Sequence, residues 1–187
     1  VFQDDQFMKS MVQGYEDAGK EYGIKILTAN TNNDQAKEAE LIQTYIAQGV
    51  DGIAIAPLSQ DASIPNLKEA SSKGIQVAIT NMNLTGDPSW LAGGYTSDDA
   101  TNGKIVGTNA AEFIKANITG PVNVAQVDFD HQIPEQSKAR WSGFYAALDE
   151  AGVEYTKVAA VSANMQDDAL AKVTDMLTAH PEINVIW

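Results

Sequence analysis

Apolar positions along the chain switch repeatedly between a helical and an extended period. From Gln6 to Tyr22, Phe7, Met11, Tyr15, Ala18 and Tyr22 recur three and four apart, the stripe of an amphipathic helix, and Gly23 stops it. Ile24 to Ala29 reads as a buried strand. The polar turn Asn30-Thr31-Asn32-Asn33 follows, placed to cap a second helix through Leu41, Ile42, Tyr45 and Ile46. Gly49 ends that helix. Gly52 to Pro57 predicts a strand, Asp61 to Lys73 a helix with Pro65 in its first turn, and Ile75 to Thr80 another strand. Asn81 to Ser89 is polar and turn-rich, Trp90 to Thr96 predicts an edge strand, and Asp98 to Asn117 a helix with Val106, Ala110, Phe113 and Ile114 on one face. Val122 to Val127 opens a second series. Pro134 to Ala151 is a helix bearing Trp141, Phe144 and Leu148, Glu154 to Ser162 contains a strand, Gln166 to His180 is a helix, and Ile183 to Trp187 begins a strand.

One recurrence ties these elements together. Tyr22-Gly23-Ile24, Gln48-Gly49-Val50, Lys73-Gly74-Ile75 and Ala151-Gly152-Val153 each put glycine just past a helix, followed by a β-branched residue. That pattern predicts a left-handed C-terminal cap, after which the apolar residue folds back on the helix. Each unit is one turn of an α/β winding, whose right-handed crossovers make parallel sheets. The stretch Gly93 to Gly107, GGYTSDDATNGKIVG, is where one half hands over to the other, so the lobes are expected at 1–97 and 98–187. Val1-Phe2 reads as the tail of a strand and Val185-Ile186-Trp187 as the start of one, so both ends are expected to be truncated.

Composition narrows the function classes. In 187 residues there are 25 Asp and Glu against 12 scattered Lys and Arg, a net charge of −13, which argues against a nucleic-acid partner. Cysteine is absent, which excludes disulfides and thiolate chemistry. No run is long and apolar enough to span a bilayer, and any targeting segment is expected outside these residues. There is no G-x-G-x-x-G after a strand, no phosphate loop, no nucleophile elbow and no metal-ligand cluster, so neither enzyme chemistry nor a cofactor or metal is expected.

In open parallel sheets ligands bind beyond the carboxyl ends of the strands. The residues just after the predicted strands here include Asn81 to Asn83, Ser97-Asp98, Asp128 to His131 and Ala163-Asn164. They are rich in Asp and Asn and poor in nucleophile–base pairs. Amide and carboxylate groups satisfy vicinal hydroxyls, each of which donates once and accepts up to twice, and an aromatic such as Phe7 covers the apolar face of a sugar ring. The same residue types also serve as plain caps and turns, which is the competing reading for Asp98.

The succession QDDQFMKSMVQGYEDAGKEYGIKI, NTNNDQAKEAELIQTYIAQGVDGIAIAP, GIQVAITNMN, TSDDATNGKIVG, SKARWSGF and LTAHPEINVIW resembles the type I periplasmic sugar-binding proteins, the ribose-binding and LacI-effector-domain superfamily. The resemblance covers essentially the whole chain. It implies an α/β fold of two similar doubly wound parallel-sheet lobes joined by a hinge, closing on a monosaccharide or polyol. It further implies a periplasmic location, delivery to an ABC transporter permease, no other membrane contact, and a monomer at full length.

Carried over residue by residue, the resemblance puts Asp5 at a polar contact after the first strand, and Phe7 and Met8 where two stacking rings stand in ribose-binding proteins. Asn81 and Met82 take the place of an Asp-Arg pair, and Ser97 and Asp98 match the first hinge crossing. Arg140 matches the arginine of the second lobe that reaches the sugar, His131 lies at a contacting loop position, and Asn164 stands where an aromatic closes the far face of the ring. The departures at Met8, Met82 and Asn164 argue against ribose itself, with Trp90, Phe129 or Trp141 as possible replacement rings and Trp141 better explained as core. The alternatives are the effector domain of a LacI-type regulator or sensor receptor and, from another class, a nucleotide- or phosphate-using α/β enzyme.

Overall fold

The predicted glycine stops set the helix ends. In the computed structural model, which describes residues 6–163 and 165–187, Gly23, Gly49, Gly74 and Gly152 take φ of +67°, +67°, +86° and +66°. In each case the next residue's N–H reaches back to a carbonyl of the last helical turn: Ile24 to Gly19 (2.8 Å), Val50 to Tyr45 (3.4 Å), Ile75 to Ala70 (3.2 Å) and Val153 to Leu148 (3.0 Å). This closes the helix and turns the chain toward the sheet. Any side chain at these positions would meet the left-handed penalty.

Two compact units result, Val1–Ser97 and Asp98–Trp187. The first contains α1 (Gln6–Tyr22), α2 (Gln35–Gln48), β1 (Gly52–Ile55), α3 (Ile64–Ser72), β2 (Gln76–Thr80) and β3 (Gly93–Tyr95). Its parallel sheet runs β1-β2-β3, with Gly52 opposite Gln76 and Ala78 opposite Gly93. Ile42, Leu67, Ala70, Val77 and Ile79 form the core. Leu67 and Val77 are fully buried, and burying a side chain of this kind is worth about 1.5–3 kcal/mol. The second unit contains α4 (Asp99–Asn117), β4 (Asn123–Asp128), α5 (Pro134–Glu150), β5 (Thr156–Ser162), α6 (Gln166–Ala179) and β6 (Val185–Ile186), with the parallel sheet β5-β4-β6. Its core joins Ala111 and Ile114 of α4 to Val124, Phe144 and Leu148, and Trp187 packs on Phe144.

Three local expectations are corrected. Among the described residues Ile24 to Ala29 joins no ladder, and Ile24, Ile26 and Leu27 are exposed. The cap of α2 is Asp34, whose carboxylate accepts from Ala36 N and Lys37 N, whereas Asn32 and Asn33 use left-handed φ to make the turn before it. Finally, the buried face of α1 is rotated. Met8 and Gly19 are buried, while Phe7 and Tyr22 are exposed. Glycine at 19 causes this: a Cβ there would lie 2.4 Å from Ile26 Cγ1 and 2.9 Å from Ile24 O, so the chain returning from Gly23 packs directly on that face.

Glycine also governs the contact of α4 with α5. A Cβ added at Gly103 would lie 1.9 Å from Arg140 O, at Gly107 2.4 Å from Phe144 O, and at Gly143 2.3 Å from Ala100 O. The two backbones therefore touch, with Gly103, Gly107 and Ala111 buried at four-residue intervals along α4.

Candidate functional site

The rotation of α1 leaves Phe7 61% exposed at the carboxyl end of the first sheet. There an open depression of about 390 Å³ is lined by Phe7, Met11, Thr80, Asn81, Gly94, Tyr95, Thr96 and Ser97. Thr80 ends β2 and knits its floor to α1: its hydroxyl lies 2.8 Å from Tyr15 Oη and 3.2 Å from Met11 Sδ. Asn81 follows with φ +69° in a three-residue turn closed by Met82 N to Thr80 O at 2.8 Å, and its own N–H is held by Tyr95 O at 3.0 Å. A non-glycine residue in this region costs on the order of 1–3 kcal/mol, and such strain collects at functional positions. The turn sets Asn81 on the depression while sending Met82 inward.

Met82 retains 2% exposure and Met8 6%, and neither lines the depression. Both were expected as ligand contacts. Ser97 lines the depression and is exposed, whereas Asp98 does not line it. Asp98 caps α4, its two oxygens accepting from Thr101 N (3.0 Å) and Thr101 Oγ1 (2.6 Å). The Thr101 hydroxyl first, and its N–H second, hold this carboxyl below the ordinary range. Asp5 and Asn164 lie outside the described residues.

The carboxyl edge of the second sheet is built differently. β4 ends at Asp128, a buried carboxylate that accepts from Gln126 Nε2 at 2.7 Å and Asp130 N at 3.1 Å. Asp130 in turn accepts from Trp141 Nε1 at 3.2 Å. His131 is exposed, and its N–H bonds Ser162 Oγ at the end of β5. Arg140, on α5, donates from Nε to Asp99 Oδ1 at 2.6 Å and sets its guanidinium 5.3 Å from the Phe129 ring centroid. The glycine contact of α4 with α5 brings Asp99 and Arg140 within reach of each other. Trp141 does pack on the core, edge-on to Tyr145. Lys157 lies over the Tyr145 ring, and burial lowers its pKa. Burial likewise pushes the Tyr145 hydroxyl up to about 12, with the negative charges of Tyr155 and Asp128 adding to it.

Two residues escaped the sequence reading. Tyr95, 75% exposed beside the depression, had a signal in being an aromatic at the end of an edge strand. Asp99 had one too: in Ser97-Asp98-Asp99 a single acid suffices as the cap, which leaves the second for other work. Among the described residues no group of three His, Asp or Glu is placed to hold a metal ion, and no helix is long and apolar enough to cross a membrane.

A family model described as periplasmic binding protein domain matches residues 1–187. The chain belongs to the periplasmic binding protein domain family. Similar members include the ABC transporter periplasmic-binding protein YphF of Escherichia coli K12, 26% identical over 178 residues, covering 93% of this chain and 54% of that protein. The ribose import binding protein RbsB of Bacillus subtilis 168 is 26% identical over 183 residues, covering 97% and 56%. In three dimensions the chain is similar to the Caulobacter myo-inositol binding protein bound to myo-inositol, with a TM-score of 0.85 and 20% identity over 99% of this chain and 62% of that one. The α/β fold with parallel sheets is thus that of the type I binding proteins, and the chain spans a little over half the length of the relatives it matches. The relatives matched are binding proteins or regulators.

Proposed function

We propose that the two units belong to a solute-binding protein that captures a small carbohydrate, a monosaccharide or polyol, and passes it to an ABC transporter in the periplasm. The observation that carries this reading is the make-up of the first unit's depression. Two exposed rings, Phe7 and Tyr95, stand beside the amide of Asn81 and the hydroxyls of Thr96 and Ser97. Rings suit the apolar faces of a sugar, and amide and hydroxyl groups suit its periphery. A volume of about 390 Å³ lies at the small end of the range for ligand pockets, in keeping with a single sugar ring.

In this reading Phe7 covers one ring face, Asn81 and Ser97 hydrogen-bond hydroxyls from the first unit, and Arg140 and His131 do so from the second. Asp5 and Asn164 are the remaining contacts in this reading. Nothing in the set is a nucleophile paired with a base, which favours capture over turnover. That relatives are named for ribose import and myo-inositol binding supports the chemical class without choosing its member.

The test is a calorimetric and thermal-shift panel of aldoses, alditols and cyclitols on the full-length protein. A ligand at a hundred times its Kd adds about 2.7 kcal/mol, a clear rise in Tm. A selective response to one or two carbohydrates is expected. Stabilisation by nucleotides alone, or by none of the panel, overturns the carbohydrate reading. Loss of uptake of the identified sugar on deletion of the gene tests the transport output, whereas unchanged uptake with altered transcription points to a regulator.

A further inference from the structure

We propose that Asp99 sets the charge selectivity of the second unit's edge: by holding Arg140 in an ion pair, it makes that edge accept uncharged hydroxyl ligands and turn anions away. In its neutral-ligand half this rests on the carbohydrate reading above. Its anion half does not.

Asp99 is the first residue of α4, and its side chain is 10% exposed, whereas that of Arg140 is 39% exposed. Asp98 has already taken the capping role through both of its oxygens, so the Asp99 carboxylate is not consumed by the helix end. It accepts from Arg140 Nε at 2.6 Å, a short charge-assisted bond. Phe129 supports the guanidinium from one side at 5.3 Å. Next to the pair the backbones of the two helices touch, at Gly103 and Gly143.

The start of a 19-residue helix beside an arginine has the makings of an anion site, with the dipole and the guanidinium acting in the same sense. Asp99 occupies that position as a tethered anion of the protein's own. An incoming carboxylate or phosphate would have to compete with it. A neutral hydroxyl meets no such opposition and still finds a fixed, planar donor array. Asp99 is therefore a positioning residue for Arg140 and a filter on ligand charge.

Replacing Asp99 by Asn keeps shape and an acceptor oxygen but removes the charge. The experiment titrates full-length wild type, Asp99→Asn, Asp99→Glu and the double variant Asp99→Asn/Arg140→Ala with inorganic phosphate and D-gluconate. D-ribose, xylitol and myo-inositol serve as neutral probes, with calorimetry and Tm as readouts. Wild type and Asp99→Glu should ignore both anions. Asp99→Asn should gain affinity for at least one of them by roughly tenfold or more, and the double variant should lose that gain. A merely structural role for Asp99 would lower Tm without creating anion affinity. The proposal is overturned if Asp99→Asn gains nothing, if the double variant keeps the gain, or if wild type binds the anions equally well. Silence of the neutral probes on wild type would count against the carbohydrate reading while leaving the anion result to stand or fall alone.

Discussion

The carboxyl edges of the two sheets share a fold and differ in what they leave open. In the first unit the edge is a depression walled by exposed rings, with one strained amide residue, Asn81, at its rim. In the second the edge is occupied by its own side chains: Asp128 with Gln126, Asp130 with Trp141, Arg140 between Asp99 and Phe129. One edge offers shape and the other offers charge held in a fixed direction. A fold that repeats its backbone need not repeat its chemistry, because side chains after the strands are under no obligation to the core.

If that contrast is right, the second edge should depend most heavily on its scaffold. Gly143→Ala puts a methyl group against Ala100 O, and overpacking of this kind costs about 1–3 kcal/mol or more. Urea denaturation should show the loss, and ligand titration should show weakened affinity as Asp99 and Arg140 move apart. Unchanged stability would mean that the helices separate at little cost.

Next in size are the contacts themselves. Asn81→Ala and Arg140→Ala should each weaken carbohydrate binding by about 1–3 kcal/mol in calorimetry. Asn81→Gly distinguishes the two edges further: relief of the left-handed φ should raise stability by up to about 1 kcal/mol while affinity still falls. Wild-type affinity in either alanine variant would remove that residue from the proposed site.

The first unit has a buried charge of its own, with a different duty. Glu38 is 1% exposed and accepts from Ser63 Oγ (2.5 Å), Leu58 N (2.8 Å) and Gln35 Nε2 (2.9 Å), tying α2 to the loop between β1 and α3. Glu38→Ala strands those donors, at about 1–3 kcal/mol for each buried group left unpaired. The denaturation midpoint should fall, and the fall should be the same with and without ligand if the network serves stability alone.

The smallest effect expected is at Asp98. Its carboxyl is held low by Thr101, so its contribution to stability is complete above the unfolded carboxylate pKa and is lost as pH falls through the lowered folded value. The Tm gap between wild type and Asp98→Ala should therefore shrink toward acid pH. A gap independent of pH would mean that the ionised carboxylate plays no part in the cap.

The winding and the helix stops were readable in the chain because glycine past a helix has few other uses, and all four such positions adopt the left-handed conformation. Ile24 to Ala29 has the propensity of a strand, but propensity does not supply a pairing neighbour, and none stands among the described residues. The face of α1 was misread because Gly19 contributes nothing to an apolar stripe, yet decides by its emptiness which side the chain can cover. At the candidate site, positions after strands could be listed, but which side chains turn inward could not. Asn81 and Met82 are adjacent, and the turn made by the φ of +69° at Asn81 leaves the first half-buried at the rim and the second buried. Asp99 was passed over because the acid beside it already satisfied the obvious requirement.

The glycine contact between α4 and α5 has a consequence for redesign. A mount made from the absence of side chains fixes where residues 99 and 140 stand without prescribing what they are. Ligand preference at this edge can then be rewritten two letters at a time, with the backbone serving as an unmoved jig, whereas any letter added at 103 or 143 moves the jig itself.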